Sequence, residues 1–361
     1  MRCDPLLFIS GLILRRSTIA LLVLSAGCVH TAPFTDTDGR VIPGSIATME
    51  TVTIGGLEQH LWIRGVSQSN PPLILLHGGP GASEAPLFRR YNSSLEQHYL
   101  VVYWEQRGAG RSFSSDIPPQ SMTIEQFVRD LDELVDLVRT RFGKNKVTLL
   151  GHSWGTVLGT MYAFRYADKV AAYVGVAQMA NIPEGRRLAY DFALSEAQKR
   201  HDATGIKELE TIGPPPYASV EHLLAVERWT ERFGGVNHAN LSTGKLIWAA
   251  LGTDEANLVD LIKFGQGNRF SLTQLEGEIS TLDLTKHYHA FNVPIVFLLG
   301  RYDRHVPSML AEEYFQMITA PCKRLVWFEQ SGHNPPFEEP DRFNSVLIED
   351  VLPLAVRGCP H

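Results

Sequence analysis

The sequence predicts an α/β fold, a mostly parallel central sheet with an inserted helical cap. Two observations carry this. Short apolar runs alternate with helical patterns from Glu50 to Val176 and again from Val293 onward, an order that implies right-handed crossovers between parallel strands. Between about Asn181 and Phe291 the alternation stops and the pattern is helical, so an insertion divides one sheet. The 361 residues, enough for two or three units on length alone, thus resolve into a split core and a cap.

The elements follow in order. Val52–Ile54 and His60–Arg64 flank Gly55-Gly56 as an opening hairpin. Leu73–Leu76 is a short buried strand ending in His77-Gly-Gly-Pro-Gly81, and Leu100–Trp104 is another, ending in Glu105-Gln-Arg-Gly108. From about Thr123 to Phe142 the apolar residues Ile124, Phe127, Val128, Leu131, Leu134, Val135 and Val138 keep helical spacing, with Thr123 and Gln126 set as a capping box. Val147–Leu150 runs into Gly151-His-Ser-Trp-Gly155 and a helix, and Val170–Val176 is the next strand. After the insertion come strand Val293–Leu299, a helix near Met309–Ile318, strand Leu325–Phe328 and a final helix near Asp341–Leu354. The expected organisation is 1–27 export segment, 28–49 linker, 50–180 first part of the core, 181–291 helical cap, and 292–361 second part of the core.

Composition narrows the function classes. Hydrophobic residues are 44% and charged residues 20%, which excludes a disordered or fibrous chain. The formal net charge of −6 argues against a nucleic-acid partner, because phosphate binding needs a basic face. Four cysteines do not build a disulfide scaffold. Cys322 and Cys359 pair if the compartment is oxidising and are free or buried thiols otherwise.

The amino terminus has the layout of an export signal. Arg15-Arg16 precedes the apolar run Ile19–Leu24, then Ser25-Ala-Gly-Cys28. Small residues ending in Cys resemble a bacterial lipoprotein signal, in which Cys28 is lipidated and tethers the chain to the cell envelope. Ser25 stands where that pattern usually has Leu. Plain secretion, an uncleaved anchor, and a cytoplasmic protein with a mis-assigned start are the other readings. Removing residues 1–27 leaves 30 basic against 38 acidic residues, or −8.

Gly151-x-Ser153-x-Gly155, between a strand and a helix, suits a strained turn that exposes a serine hydroxyl above the sheet. A serine nucleophile needs a histidine base, an acid and an oxyanion hole. Asp303 follows one late strand and His333 the next, giving the order Ser…Asp…His at the carboxyl edge, where parallel sheets build their sites. The equivalent position one strand earlier, Gln178–Asn181, offers no carboxylate. The oxyanion donors expected are the backbone N–H groups of Trp154 and Gly79. His77 reads as a brace of its loop, and His305 as a residue of the Asp303 loop. His287 and His289 lack a third ligand for a metal. The chemistry needs no metal or organic cofactor.

These residues resemble the α/β-hydrolase superfamily, and within it the proline iminopeptidase (prolyl aminopeptidase) branch of serine peptidases, from about Glu50 to Leu354. The resemblance rests on His77-Gly-Gly-Pro-Gly81, on Trp104-Glu-Gln-Arg-Gly-Ala-Gly-Arg-Ser112 with Glu105 in place of the branch's Asp, on Ser153-Trp-Gly155, on Gly300-x-x-Asp303 and on Gly332-His333. It implies an aminopeptidase with a helical cap after the sixth strand. Two departures stand out. His152 replaces the second Gly of the branch's Gly-Gly-Ser-Trp-Gly. Phe233 falls where the cap's Trp-x-x-Trp-Glu segment has the carboxylate that holds the substrate's free amine. Glu227 and Glu231 are the substitutes for that carboxylate, or else a solvated helix face paired with Arg228 and Arg232.

The expected function is a serine hydrolase acting on a small molecule or short peptide through an acyl-enzyme, most like an enzyme releasing amino-terminal proline. A carboxylesterase or lactonase acting on small apolar esters is the alternative. A non-catalytic binding protein on a hydrolase scaffold is the remote one. The sequence leaves the oligomeric state open.

Overall fold

The computed structural model describes residues 30–238 and 241–360. The export segment 1–27 and the lipidation candidate Cys28 lie outside the described residues. Eight strands form one sheet: β1 (Ile46–Ile54), β2 (Leu57–Gly65), β3 (Pro72–Leu76), β4 (Leu100–Glu105), β5 (Val147–His152), β6 (Val170–Val176), β7 (Ile295–Gly300) and β8 (Lys323–Phe328). Their order is β1-β2-β4-β3-β5-β6-β7-β8. The β1–β2 and β2–β4 pairings are antiparallel and the rest parallel.

The sheet is covered on both faces. Along β3, Leu73 and Leu75 enter one core with α1 (Ala85–Asn92), while Ile74 and Leu76 enter the other with α2 (Ile124–Phe142) and α3 (Trp154–Arg165). Successive side chains of a strand point to opposite faces, so a strand buried on both sides reads as a continuous apolar run. Thr123 caps α2 by accepting the Gln126 N–H at 3.2 Å, but the reciprocal half of the expected capping box is absent: Gln126 donates from Nε2 to Asp130 at 2.7 Å.

Between β6 and β7 lie α4 (Ile182–Lys199), α5 (Ala203–Ile212), α6 (Val220–Arg232), α7 (Thr243–Leu251) and α8 (Leu258–Ile279). Tyr190, Ala197, Leu209, Val226 and Trp229 give α4–α6 a small core of their own. The insertion leaves and rejoins the sheet at one neck, where Asn181 bridges Asp283, with Ile182 N–H on the Leu282 carbonyl at 3.1 Å and Leu284 N–H on that of Ala180 at 2.8 Å.

Two elements differ from expectation. β1 begins at Ile46, inside the stretch read as linker, because Ile46–Ile54 is rich in β-branched residues and pairs along its whole length with β2. The preceding residues are fastened too: Thr31 bonds Glu255 at 3.0 Å, and Arg64 donates to the Ala32 carbonyl at 2.8 Å. The final helix is three pieces, α9 (Ser308–Met317) being followed later by Pro340–Ser345, a wide turn over Val346–Val351, and Leu352–Arg357. Pro353 has no N–H to donate one turn back, and the helix widens just before it.

Candidate active site

Ser153 sits between the end of β5 and the start of α3 with φ 51° and ψ −118°. That left-handed conformation is costly for a residue with a Cβ and is held by the surroundings. Its N–H donates to the Val176 carbonyl at 3.0 Å, and its carbonyl accepts from the Thr156 N–H at 2.8 Å and hydroxyl at 2.6 Å. The turn is tight enough that a Cβ on Gly155 would lie 1.8 Å from the Leu76 carbonyl oxygen.

Trp154 is the first residue of α3, so its N–H is one of the helix's unpaired amino-terminal donors. Its indole donates to Gln106 at 3.0 Å, and Gln106 in turn holds His77. His77 Nδ1 donates to the Gly78 carbonyl at 2.8 Å and its Nε2 accepts the Gln106 N–H at 3.1 Å. This ring is a brace. Gly79 beside it has φ +112°, and a Cβ there would meet Ala82 N at 2.6 Å. Only glycine takes that backbone conformation without strain, and a Cβ on the preceding Gly78 would lie 3.4 Å from the Ser153 Cβ.

Asp303 lies in the loop after β7 and His333 in the loop after β8. His333 Nδ1 donates to Asp303 Oδ2 at 2.8 Å. The other oxygen, Oδ1, accepts the N–H groups of His305 and Val306, each at 2.9 Å. Burial pushes the Asp303 carboxyl up, opposed by His305 and those two N–H groups. Burial and the nearby His152 press the His333 imidazole down, so the ring is neutral and its Nε2 carries a free lone pair. The His333 loop is fixed from below by Glu338, whose carboxylate accepts the N–H groups of Gly332 at 2.9 Å and Asn334 at 3.0 Å.

His152, the departure at the nucleophile turn, has a specific setting. Nδ1 lies 2.6 Å from Glu84 Oε1, and Nε2 lies 3.0 Å from the His333 carbonyl. With Glu84 ionised, both ring nitrogens face acceptors, an arrangement that favours the protonated imidazolium. Burial alone would lower its pKa, but Glu84 and the His333 carbonyl raise it overall. Glu84 also accepts the Gly78 N–H at 3.3 Å. The pair Glu84–His152 therefore links the nucleophile turn, the Gly78–Gly79 loop and the His333 loop.

Gly79, Ser153, Trp154, Glu227 and His305 line one cavity, with apolar walls from Met179, Ile182, Leu223, Val226, Leu272 and Leu310. Structure separates the two glutamates of α6. Glu227 faces the cavity, its carboxyl pushed up by burial. Glu231 turns to the next helix, where it accepts the Thr243 N–H at 3.1 Å. The pairing of these acids with Arg228 and Arg232 is not what forms: Arg228 pairs with Glu208 and Arg232 with Asp202. His305 stands edge-on to His333 with ring centroids 4.7 Å apart. Glu84 and the pocket position of His305 were not legible beforehand. In the sequence His152 stands out only as the residue in place of a glycine, and nothing there points to Glu84.

The segment after β4 is a brace. Arg107 is buried and donates to Asp130 from Nε at 2.8 Å and Nη2 at 2.9 Å. Glu105 accepts the Arg111 N–H at 2.6 Å and the Ser83 hydroxyl at 3.1 Å, and burial pushes its carboxyl up to about 7. Arg111 reaches Asp260 at 2.8 and 2.9 Å, fastening α8 to the core.

A sharp strand–Ser–helix turn, an Asp–His pair at the next sheet edges and a glycine loop beside them are features of one class. The family model for the alpha/beta hydrolase fold matches residues 71–340, and the chain belongs to that family. Among its relatives, "Probable aminopeptidase YbaC" of Bacillus subtilis (strain 168) is 34% identical over 306 residues, 84% of this chain and 96% of the relative. A proline iminopeptidase of Saccharolobus solfataricus (strain ATCC 35092 / DSM 1617 / JCM 11322 / P2) is 27% identical over 308 residues, 82% and 90% respectively. The solved proline iminopeptidase of Mycobacterium smegmatis superposes with a TM-score of 0.62 at 20% identity, over 85% of this chain and 98% of that one, a likeness of fold. The chain is thus a hydrolase of this superfamily, similar to proteins named aminopeptidase and proline iminopeptidase.

Proposed function

We propose that the protein is a serine hydrolase that releases an amino-terminal residue, proline or another small one, from a short peptide or amide. Ser153 attacks the carbonyl. His333 Nε2 takes the hydroxyl proton and passes it to the leaving amine, while Asp303 holds the imidazolium that forms. The N–H groups of Gly79 and Trp154 receive the developing oxyanion. Water then releases the acyl group by the same steps.

One observation favours an aminopeptidase over an esterase. Glu227 places a carboxylate on the wall of the Ser153 cavity; Arg186, which lines the same cavity, is paired with Glu276, and the neighbouring Arg228 and Arg232 are paired with Glu208 and Asp202. A half-buried carboxylate whose pKa is raised by desolvation gains from an incoming ammonium, which a peptide's amino terminus supplies and a neutral ester does not. A panel of prolyl- and alanyl-arylamides, short aryl esters and lactones tests this, with Ser153→Ala as control. Glu227→Gln should raise KM for the arylamides by about tenfold or more and leave ester turnover nearly unchanged. Ester turnover without arylamide turnover in the wild type would sink the peptidase reading and leave the esterase one. We further propose, from residues 15–28, that the chain is exported and held at the envelope through a lipid on Cys28, and the Cys322–Cys359 disulfide supports an oxidising compartment.

A further inference from the structure

The described residues expose eleven large apolar side chains, and five of them fall between positions 247 and 262: Ile247, Trp248, Leu258, Val259 and Ile262. Trp248 is 76% exposed. The other tryptophans are buried or, for Trp327, covered by the Arg301 guanidinium at 3.8 Å. Ile247 and Trp248 lie on α7, and Leu258, Val259 and Ile262 on the first turns of α8. On α8 the three share a face, since positions three and four apart are neighbours on a helix. The polar groups around this corner are largely spoken for. Glu255 is tied to Arg89 and Thr31, and Asp260 to Arg111, while Lys245 and Lys263 flank the apolar residues.

The place where the chain enters the folded body lies at the same corner. Thr31 bonds Glu255, in the connection between α7 and α8, while Arg64 holds the Ala32 carbonyl and lies over the Phe34 ring. In the sequence only three residues of chain separate Cys28 from Thr31, and three residues span at most about 10 Å. A lipid on Cys28 would hold this corner, and no distant part of the molecule, against the membrane. A tryptophan flanked by aliphatic residues and lysines is what an anionic bilayer surface accommodates.

We propose that the α7–α8 corner is a membrane-contact surface seated on the bilayer to which Cys28 is attached. This rests on the reading of residues 15–28 as a lipoprotein signal. The lipid supplies attachment; the corner supplies orientation, fixing which way the insertion faces.

The full-length chain is purified in detergent, its amino-terminal peptide weighed by mass spectrometry for lipid on Cys28, and the protein reconstituted into vesicles of phosphatidylethanolamine and phosphatidylglycerol with brominated acyl chains. Bromine quenches a tryptophan that enters the lipid. The wild type should show lipid-dependent quenching, and Trp248→Ala should lose most of it while keeping the wild-type hydrolytic rate. Lipid on Cys28 with equal quenching in both proteins overturns the surface and leaves the anchor standing. Quenching through Trp248 without lipid on Cys28 overturns the anchor and leaves the surface standing. Absence of both overturns both. A concentration-dependent dimer that shields Trp248 from an aqueous quencher without vesicles assigns the corner to a second copy of the chain and overturns the proposal.

Discussion

Glu84→Gln removes one negative charge from beneath the Ser153, Gly78–Gly79 and His333 loops and leaves the shape almost unchanged. In the wild type the carboxylate takes a 2.6 Å bond from the His152 imidazolium and a 3.3 Å bond from the Gly78 N–H. A buried charge-assisted bond contributes about 1.5–3 kcal/mol, and the longer neutral one about 1 kcal/mol or less. The amide has one acceptor oxygen, so its NH2 group must face either Gly78 N–H or a ring nitrogen that already carries a proton. The expected loss is about 2–4 kcal/mol of stability. If half of it is felt in the transition state, kcat/KM falls about tenfold. The pH dependence identifies the cause. The folded His152 pKa lies above its ordinary value of 6.5, so the stability this proton contributes is fully present below 6.5 and is lost as pH rises through the raised folded value. Urea unfolding of wild type and variant across that range should show the gap widest just below pH 6.5 and narrowing above it. A gap that stays constant or widens with pH, or a variant as stable and active as the wild type, would refute the clamp.

Three further outcomes are expected. Ser153→Ala should lower kcat/KM on the best arylamide or ester by about 10⁴-fold or more with the urea midpoint unchanged, because in the proposed mechanism His333 and Asp303 act only through the Ser153 hydroxyl. Asp130→Ala strands the buried Arg107 guanidinium and should cost about 3–5 kcal/mol in denaturant unfolding, a value that rim ion pairs such as Arg301–Glu329 will not approach. Replacing both Cys322 and Cys359 by Ser opens a crosslink between positions 37 apart and should lower unfolding stability by about 4 kcal/mol in the chain-entropy account, read as a drop in Tm under non-reducing conditions.

What the sequence revealed followed from local order. Strands buried on both faces read as apolar runs, and the residues just past their carboxyl ends were the chemically interesting ones, so Ser153, Asp303 and His333 were visible at fixed points of the pattern. Contacts between distant positions were not visible. Glu84 and His152 are 68 positions apart, and nothing local to Glu84 marks it. Glu227 and Glu231 were indistinguishable as neighbours on one helix face. They part because Glu231, in the last turn of α6, accepts the Thr243 N–H at the start of α7, while Glu227 one turn earlier lines the cavity. The stretch before β1 looked like a linker because its Thr, Asp, Pro and Gly content carries no sign of Glu255 and Arg64, the partners that pin it.

The neck at Asn181 and Asp283 has a consequence for how such a protein changes over time. β6 and β7 pair directly, from Tyr173 with Ile295 to Val176 with Leu298, as though nothing stood between them. The roughly hundred residues of α4–α8 begin and end at adjacent points, so the sheet needs only that the two ends meet. A different helical segment with ends as close could be exchanged there without disturbing the register of a single strand. The proposed reacting groups Ser153, Asp303 and His333 all follow strands on the sheet side of that neck, while Glu227 sits beyond it. Lineages sharing this scaffold can therefore keep one chemistry and trade recognition as a cassette.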